Sequence, residues 1–434
     1  MKIPSIIALL LFQSAAFSQS VDKLIKEKEV KRILYALTDD NLKGRSAYDE
    51  PSIFKAAGII EKEFQKIGLK PLTGNQTFLQ EFSKNQITTS SVEVVIDGEK
   101  ISNENVLMVT EKTDVHINNG LVLKTIKPDA GVTDKNQYFF RQAFQIYRDT
   151  ISTLILIDPE FKNIFQEFKG YFTKRFAQGR KGINIFVLGK TTATSYSVRA
   201  SQKNIPVRLA NVVGVLEGKS KKDEMAVFSG HYDHIGIRTK INGDSIANGA
   251  DDDASGTTAV IQLARYFKKT KQNERTLIFV AFTAEEIGGY GSQYFSKQLD
   301  AEKVITMFNI EMIGKPSKWG INSAFITGYE RSDFGEILQK NLQGTPFQFK
   351  PDPYPEQNLF YRSDNATLAR LGVPAHSIST DQIDTDKFYH SVDDEAESLD
   401  IKNLTVTIRA IAISSKSIVN GTDTPKRIDK SMVK

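Results

Sequence analysis

Apolar residues along this chain follow two patterns. In the first, short unbroken runs rich in β-branched and aromatic side chains are bounded by glycine or polar turns; in the second, apolar residues recur every three or four positions. Thr276 to Phe282 is the clearest of the first kind and predicts a strand buried on both faces of a mostly parallel sheet. Asn211 to Gly218, Met225 to Gly230, Val304 to Met312, Ala324 to Thr327 and Pro374 to Ser379 predict further strands. Helical spacing joins Ala56, Ile60, Phe64 and Ile67, with Ser52 as N-cap and Gly68 as the stop. The same spacing joins Val260, Leu263, Ala264 and Phe267, and later Ile401, Leu404, Ile408 and Ile411, while Phe334 to Leu342 reads as a helix closed by Gly344. Strands alternating with helices predict an α/β fold, a mostly parallel central sheet flanked by helices.

Between about Ser90 and Ala200 the texture changes to short strand-like runs, such as Val92 to Ile96, Leu121 to Ile126 and Leu154 to Ile157, with aromatic residues crowded from Phe161 to Phe176. His116 is the only histidine there and reads as a surface residue. The segment is expected to be a β-rich insertion or lid domain. At the start, Lys2, the apolar stretch Ile6 to Phe12 and the small residues around Ala15, Ala16 and Ser18 read as a signal peptide. The expected organisation is a signal peptide over 1–18, the N-terminal part of the catalytic domain over 19–89, the insertion over 90–200, the rest of the catalytic domain over 201–421 and a loose tail over 422–434.

Composition narrows the function. The chain has 434 residues, more than one ordinary domain. Its 57 basic and 52 acidic residues nearly cancel, and no basic run is interleaved with aromatics, which argues against nucleic acid as a partner. After the signal no apolar run approaches the ~20 residues of a membrane helix, so a periplasmic or secreted protein is expected. Cysteine is absent, so any metal must be held by histidine and carboxylates.

Those residue types gather at the ends of predicted strands. Glu285 and Glu286 follow the run ending at Phe282, where one acid can bind a metal and its neighbour can handle a proton. His231 follows the strand ending at Gly230, with Asp233 two residues on as a possible orienting carboxylate. Asp251, Asp252 and Asp253 lie between small residues at the mouth of a helix, Glu311 ends another strand, and Tyr389 with His390 occupies a late loop. Such a hard-to-borderline donor set suits Zn²⁺.

The segments His231 to Asp233, Gly249 to Gly256, Glu285 to Gly288, Asn309 to Gly314 and Tyr389 to Ser391, in that order, resemble the di-zinc aminopeptidase family, which includes bacterial leucyl aminopeptidases, glutamate carboxypeptidases and glutaminyl cyclases. The similarity spans roughly Asn211 to Asn420, with Leu42 to Arg45 and Gly68 to Pro71 resembling the family's lead-in. The resemblance implies two zinc ions per chain and a peptide substrate. It implies Asp252 as the carboxylate bridging both ions, His231 and Glu311 on one, Glu286 and His390 on the other, Glu285 as general base, Asp233 as the partner of His231 and Tyr389 as an oxyanion donor. Asp253 resembles a residue that shares a cis peptide in relatives. Glu311 stands where the family usually has Asp, and Asn365 where many relatives carry His. His234 and His376 receive no role. An exported zinc aminopeptidase is the expected function; a carboxypeptidase or glutaminyl cyclase of the same family, or a non-catalytic binding module on this fold, are the alternatives.

Overall fold

The computed structural model describes residues 21–433, so the stretch read as a signal peptide lies outside the described residues. Two compact units emerge, one formed by the chain up to Phe82 together with Leu209 onward, the other by Ser83–Arg208.

The first unit holds α1 (Glu27–Leu37), α2 (Glu50–Ile67), the end of β1 (Tyr196–Leu216), β2 (Lys221–His231), α3 (Gly256–Thr270), β3 (Arg275–Phe282), α4 (Tyr290–Lys297), β4 (Val304–Ile310), β5 (Ser323–Ile326), α5 (Phe334–Asn341), β6 (Gln348–Pro351), α6 (Asn365–Ala369), β7 (Ala375–Ser379) and α7 (Ile401–Ser414). The strands run in the order β6, β5, β7, β4, β2, β3, β1. The central four, β7, β4, β2 and β3, are parallel, while β1 joins β3 antiparallel and β5 joins β7 antiparallel. Every residue of β3 is buried, as its unbroken apolar run requires. Phe228 on β2 stacks on Phe279 of β3 and Phe308 of β4, with ring centroids 5.5 and 4.5 Å apart, an aromatic rung that fixes the register of the three strands carrying the site.

Helix α2 starts two residues before the predicted cap. Asp49 precedes it, Pro51 occupies the first turn, where a missing N–H costs nothing, and Ser52 lies inside the helix with its hydroxyl on Asp49 Oδ2 at 2.8 Å. Gly68 ends the helix in the left-handed region, as expected. The tail expected to be loose over 422–434 is docked through 433. Ile428 is buried, Arg427 donates to the Val304 carbonyl at 2.8 Å, and the buried Arg275 guanidinium finds acceptors on the Ile418 and Asp423 carbonyls at 2.7 Å. A buried guanidinium needs several acceptors, and the tail supplies two of them, the Asp423 carbonyl and the Thr424 hydroxyl.

The second unit contains a four-stranded sheet in the order Val106–Val109, Asn184–Leu188, Thr153–Ile157, Val122–Ile126, with the first pair antiparallel and the others parallel. Helices Lys135–Arg148 and Lys162–Thr173 cover one face through Phe139, Phe165 and Phe168, which explains the aromatic crowding in the sequence. His116 is exposed on a strand opposite Arg199. Among the described residues no helix is long and apolar enough to cross a membrane.

Candidate metal centre

Parallel strands bring their C-terminal ends to one edge of the sheet, and there the chain places its acids and imidazoles. His231 is the last residue of β2, Glu311 follows β4 directly, and Glu285 and Glu286 lie in the turn after β3. The loop between β2 and α3 contributes Asp252, and the loop after β7 contributes His390.

One carboxylate ties three of these segments together. Asp253 Oδ2 accepts the His231 N–H at 3.0 Å, while its Oδ1 accepts the N–H groups of Gly256 at 3.0 Å and Met312 at 3.1 Å. The Asp252–Asp253 peptide is cis. Gly256 is obligatory here, because a Cβ would lie 2.1 Å from the Ile310 carbonyl oxygen.

A second brace comes from the N-terminal segment. The fully buried Arg45 guanidinium donates to the carbonyls of Tyr232 and Gly249 at 2.8 Å, of Leu37 at 2.7 Å and of Asn248. It therefore fastens both the His231 turn and the loop leading into Asp252. Gly44, at φ 67°, lets this turn press against the Ala247 carbonyl, where a Cβ would come within 2.4 Å. Asp394 completes the frame, its carboxylate accepting the N–H of Asp251 at 3.0 Å and of Asp252 at 3.1 Å.

Within this frame Asp252 divides its carboxylate. Oδ1 lies 3.1 Å from His231 Nε2, and that same nitrogen lies 3.2 Å from Glu311 Oε1. Oδ2 lies 3.3 Å from His390 Nε2, which is 3.0 Å from Glu286 Oε2. Glu311, despite its longer arm, reaches the His231 group, and the Ser363 hydroxyl donates to its other oxygen at 2.6 Å. The structure thus brings His231, Asp252, Glu286, Glu311 and His390 together, with Glu285 Oε2 4.0 Å from His231 Nε2 at the same edge.

Asp233 acts differently from the expectation. His231 Nδ1 lies 3.1 Å from the Asp233 backbone carbonyl, against 3.8 Å to the carboxylate, so the main chain orients the ring. The carboxylate is occupied by the N–H groups of Glu285 and Glu286, at 3.0 and 3.4 Å. Tyr389 stacks on His390 with centroids 3.9 Å apart and turns its hydroxyl to Arg362 at 3.4 Å. Asn365 is buried, donates to the Phe360 carbonyl and accepts the Ser377 hydroxyl, and does not line the cleft beside the centre.

His234 is the residue that sequence reasoning left without a role. Its Nδ1 lies 2.7 Å from Glu286 Oε1 and 3.9 Å from Asp252 Oδ2, inside the second donor group. Its place three residues after His231, on the same turn, is the signal that could have found it. His376 is a core histidine: Nδ1 faces the Thr327 carbonyl at 2.8 Å, and Nε2 faces the Ser332 hydroxyl at 2.7 Å.

The electrostatics are those of a cation site. Burial opposes charge on His231, yet the Glu311, Asp252 and Glu285 carboxylates raise it well above its ordinary value. Burial also opposes charge on His390, but Asp252 and Glu286 push it up to about 10. Burial and Asp252 work against the Glu286 carboxylate, and His234 and His390 outweigh them, lowering it to about 2. Burial, together with Asp364, Glu311 and Glu286, pushes Glu285 well above the carboxylate range against the pull of His231. Protons on the imidazoles here stand in for the charge of a metal. Two donor groups that share Asp252, one with His231 and Glu311 and one with His234 and Glu286, each have ligand atoms close enough to share an ion. His234 Nε2 is buried without a hydrogen-bond partner, and His234 Nδ1 meets only Glu286 Oε1, at 2.7 Å and without hydrogen-bond geometry. Nitrogen and oxygen donors without thiolate fit zinc.

The centre lines a cleft that is also walled by Met312, Phe325, Leu359, Ile383 and Tyr389, with Arg362 at the same wall.

Residues 211–414 match the model of peptidase family M28. This stretch, just under half of the chain, is similar to that family. A probable zinc metalloprotease of Pyricularia oryzae is 40% identical over 98 residues, which cover 23% of this chain and 19% of that protein. Leucine aminopeptidase 1 of Pyrenophora tritici-repentis is 26% identical over 285 residues, 60% of this chain and 70% of that protein. The solved aminopeptidase from Aneurinibacillus sp. strain AM-1 shares the fold, with a TM-score of 0.58 at 17% identity over 96% of this chain and 97% of that one. The M28 stretch contains all the residues of both donor groups.

Proposed function

We propose that this chain is an exported aminopeptidase of the M28 family that holds two zinc ions. The observation that carries the proposal is Asp252, whose two carboxylate oxygens face separate donor groups. His231, Asp252 and Glu311 would hold one ion, and Asp252, Glu286 and His390 the other, with His234 beside the second. Zinc bound there lowers the pKa of water and polarises a peptide carbonyl.

Glu285 takes the proton of the attacking water and passes it to the leaving amine, the task for which a buried carboxylate with a raised pKa is suited. Its backbone is held by Asp233, so the side chain starts from a fixed point. The Tyr389 hydroxyl, beside Arg362, donates to the tetrahedral oxyanion. The Glu285 and Glu311 carboxylates receive the substrate's free ammonium, and the apolar wall of the cleft takes the first side chain.

Arg362 favours one second reading, a carboxypeptidase in which the guanidinium binds the substrate's terminal carboxylate. One peptide prepared with free, N-acetylated and C-amidated ends separates the two. Aminopeptidase action requires cleavage of the free and amidated forms and loss of the acetylated one; equal cleavage of the free and acetylated forms overturns it.

A further inference from the structure

A second cluster of acids lies outside the donor groups above. Asp251, Asp381 and Asp386 each offer a carboxylate oxygen, and the three oxygens lie within 4.8 Å of one another. Two oxygens bound to one calcium at about 2.4 Å each are separated by at most about that distance. Asp251 immediately precedes the bridging Asp252, whereas Asp381 and Asp386 sit on the loop that runs from β7 to His390. The cluster therefore joins the two loops that supply opposite sides of the metal centre.

All three side chains are nearly closed off from solvent, with exposures of 0% for Asp251, 4% for Asp381 and 7% for Asp386. Buried carboxylates need partners, and much of this set has them. Asp251 Oδ1 accepts the Gly314 N–H at 2.7 Å, and Asp386 Oδ1 accepts the Phe388 N–H at 2.9 Å. Lys315 Nζ bonds Asp386 Oδ2 at 2.6 Å. Yet Asp251 Oδ2 and Asp381 Oδ1 have no hydrogen-bond partner, and Lys315 Nζ stays 3.6 Å from the former. One ammonium thus faces three carboxylates, and two buried oxygens are left unmet. Such groups are costly, more so when charged, unless a proton or a cation satisfies them.

We propose that Asp251, Asp381 and Asp386 form a calcium site that is separate from the zinc-type centre and fastens the His390 loop to the Asp252 loop. The donor chemistry selects the ion. Carboxylate oxygens alone, with neither imidazole nor thiolate, suit a hard cation. Calcium takes carboxylates directly and tolerates irregular coordination, whereas magnesium keeps several waters that a nearly closed cluster has little room for. Lys315 remains on Asp386 and neutralises one of the three charges; calcium balances the other two. The bound ion lies beside the substrate cleft, since Asp381 also lines its wall.

The test uses the full chain, zinc-loaded, in buffer freed of calcium by a chelating resin, then returned to calcium at about 1 mM, the upper end for extracellular sites. Calcium content per chain and melting temperature are read for the wild type and for Asp381→Asn. The wild type should hold one more calcium than the variant and melt about 3 °C or more higher with calcium than without. Asp381→Asn should show no calcium-dependent rise and, without calcium, should melt at or above the wild type, because the amide removes a buried unmet charge. Should the variant not fold, terbium luminescence on the unaltered protein, displaced by calcium with one-site stoichiometry, serves instead. Equal calcium contents, a rise that persists in the variant, or no terbium displacement overturns the proposal and leaves a proton shared by Asp381 and Asp386. Neither readout involves peptide hydrolysis, so failure here leaves the aminopeptidase proposal standing.

Discussion

Asp233 holds Glu285 by its main chain: the aspartate Oδ1 accepts the Glu285 N–H at 3.0 Å, just after β3 ends. Replacing Glu285 with Gln keeps that bond and the side chain's shape but removes the proton carrier. Turnover should fall by about 10²–10⁴ with metal content unchanged. Metal analysis and kinetics on the purified variant check this, and retained turnover would remove Glu285 from the mechanism. Asp233→Asn, which weakens the support only, should cost about 10–100-fold in activity.

Asp252 serves both donor groups, so its loss should not be local to one ion. Asp252→Ala is expected to lower zinc from near two per chain to one or none. Plasma emission measurements on dialysed protein report the stoichiometry. A native value of one with full activity would favour the cyclase alternative.

Arg45 donates to four carbonyls in a space closed to water. Arg45→Ala strands those acceptors and should destabilise the protein by at least about 3 kcal/mol. Zinc affinity should fall with it, because the Asp252 loop is one of the braced segments. Urea unfolding followed by far-ultraviolet dichroism gives the first quantity, and competition with a chromogenic chelator gives the second.

His376 gives the protein an acid sensitivity away from the metal centre. Burial, reinforced by Arg331 and opposed by the Thr327 carbonyl, lowers its pKa from 6.5 to about 4. The unfolded chain therefore binds this proton at higher pH than the folded one, and stability is lost as pH falls from about 6.5 towards 4. Between pH 7 and pH 5 the loss amounts to about 2 kcal/mol. Urea midpoints for the wild type and His376→Gln at both pH values isolate it; the variant should lack that part of the slope, and parallel slopes would refute the assignment.

Strand β3 was legible because it is apolar throughout, and a run buried on both faces has little else it can be. Three of the five ligand segments, those of His231, Glu286 and Glu311, were legible because each follows such a run, where parallel strands deliver side chains to one edge, while Asp252 and His390 lie on longer loops. What the chain hides depends on distance in space. Arg45 reads as part of a polar turn until carbonyls nearly two hundred residues away are seen closing around it. Asp233 offers a carboxylate and a carbonyl, and only geometry tells which one meets His231. His234 was overlooked because the same spacing suits a packed core histidine, which His376 is. The docked tail is not legible because its polar composition gives no sign that Arg275, far away in sequence, closes on it.

Arg45, His231, Asp252, Glu286, Glu311 and His390 span most of the chain, and each meets partners far away in sequence. Closing loops of that length costs entropy before any contact rewards it, which makes this a site of high contact order. A chain still being made, lacking His390, presents the second donor group without one of its two imidazoles. Full metal capture would therefore await completion of the fold, and an ion's binding energy would become part of the energy that holds the finished chain together.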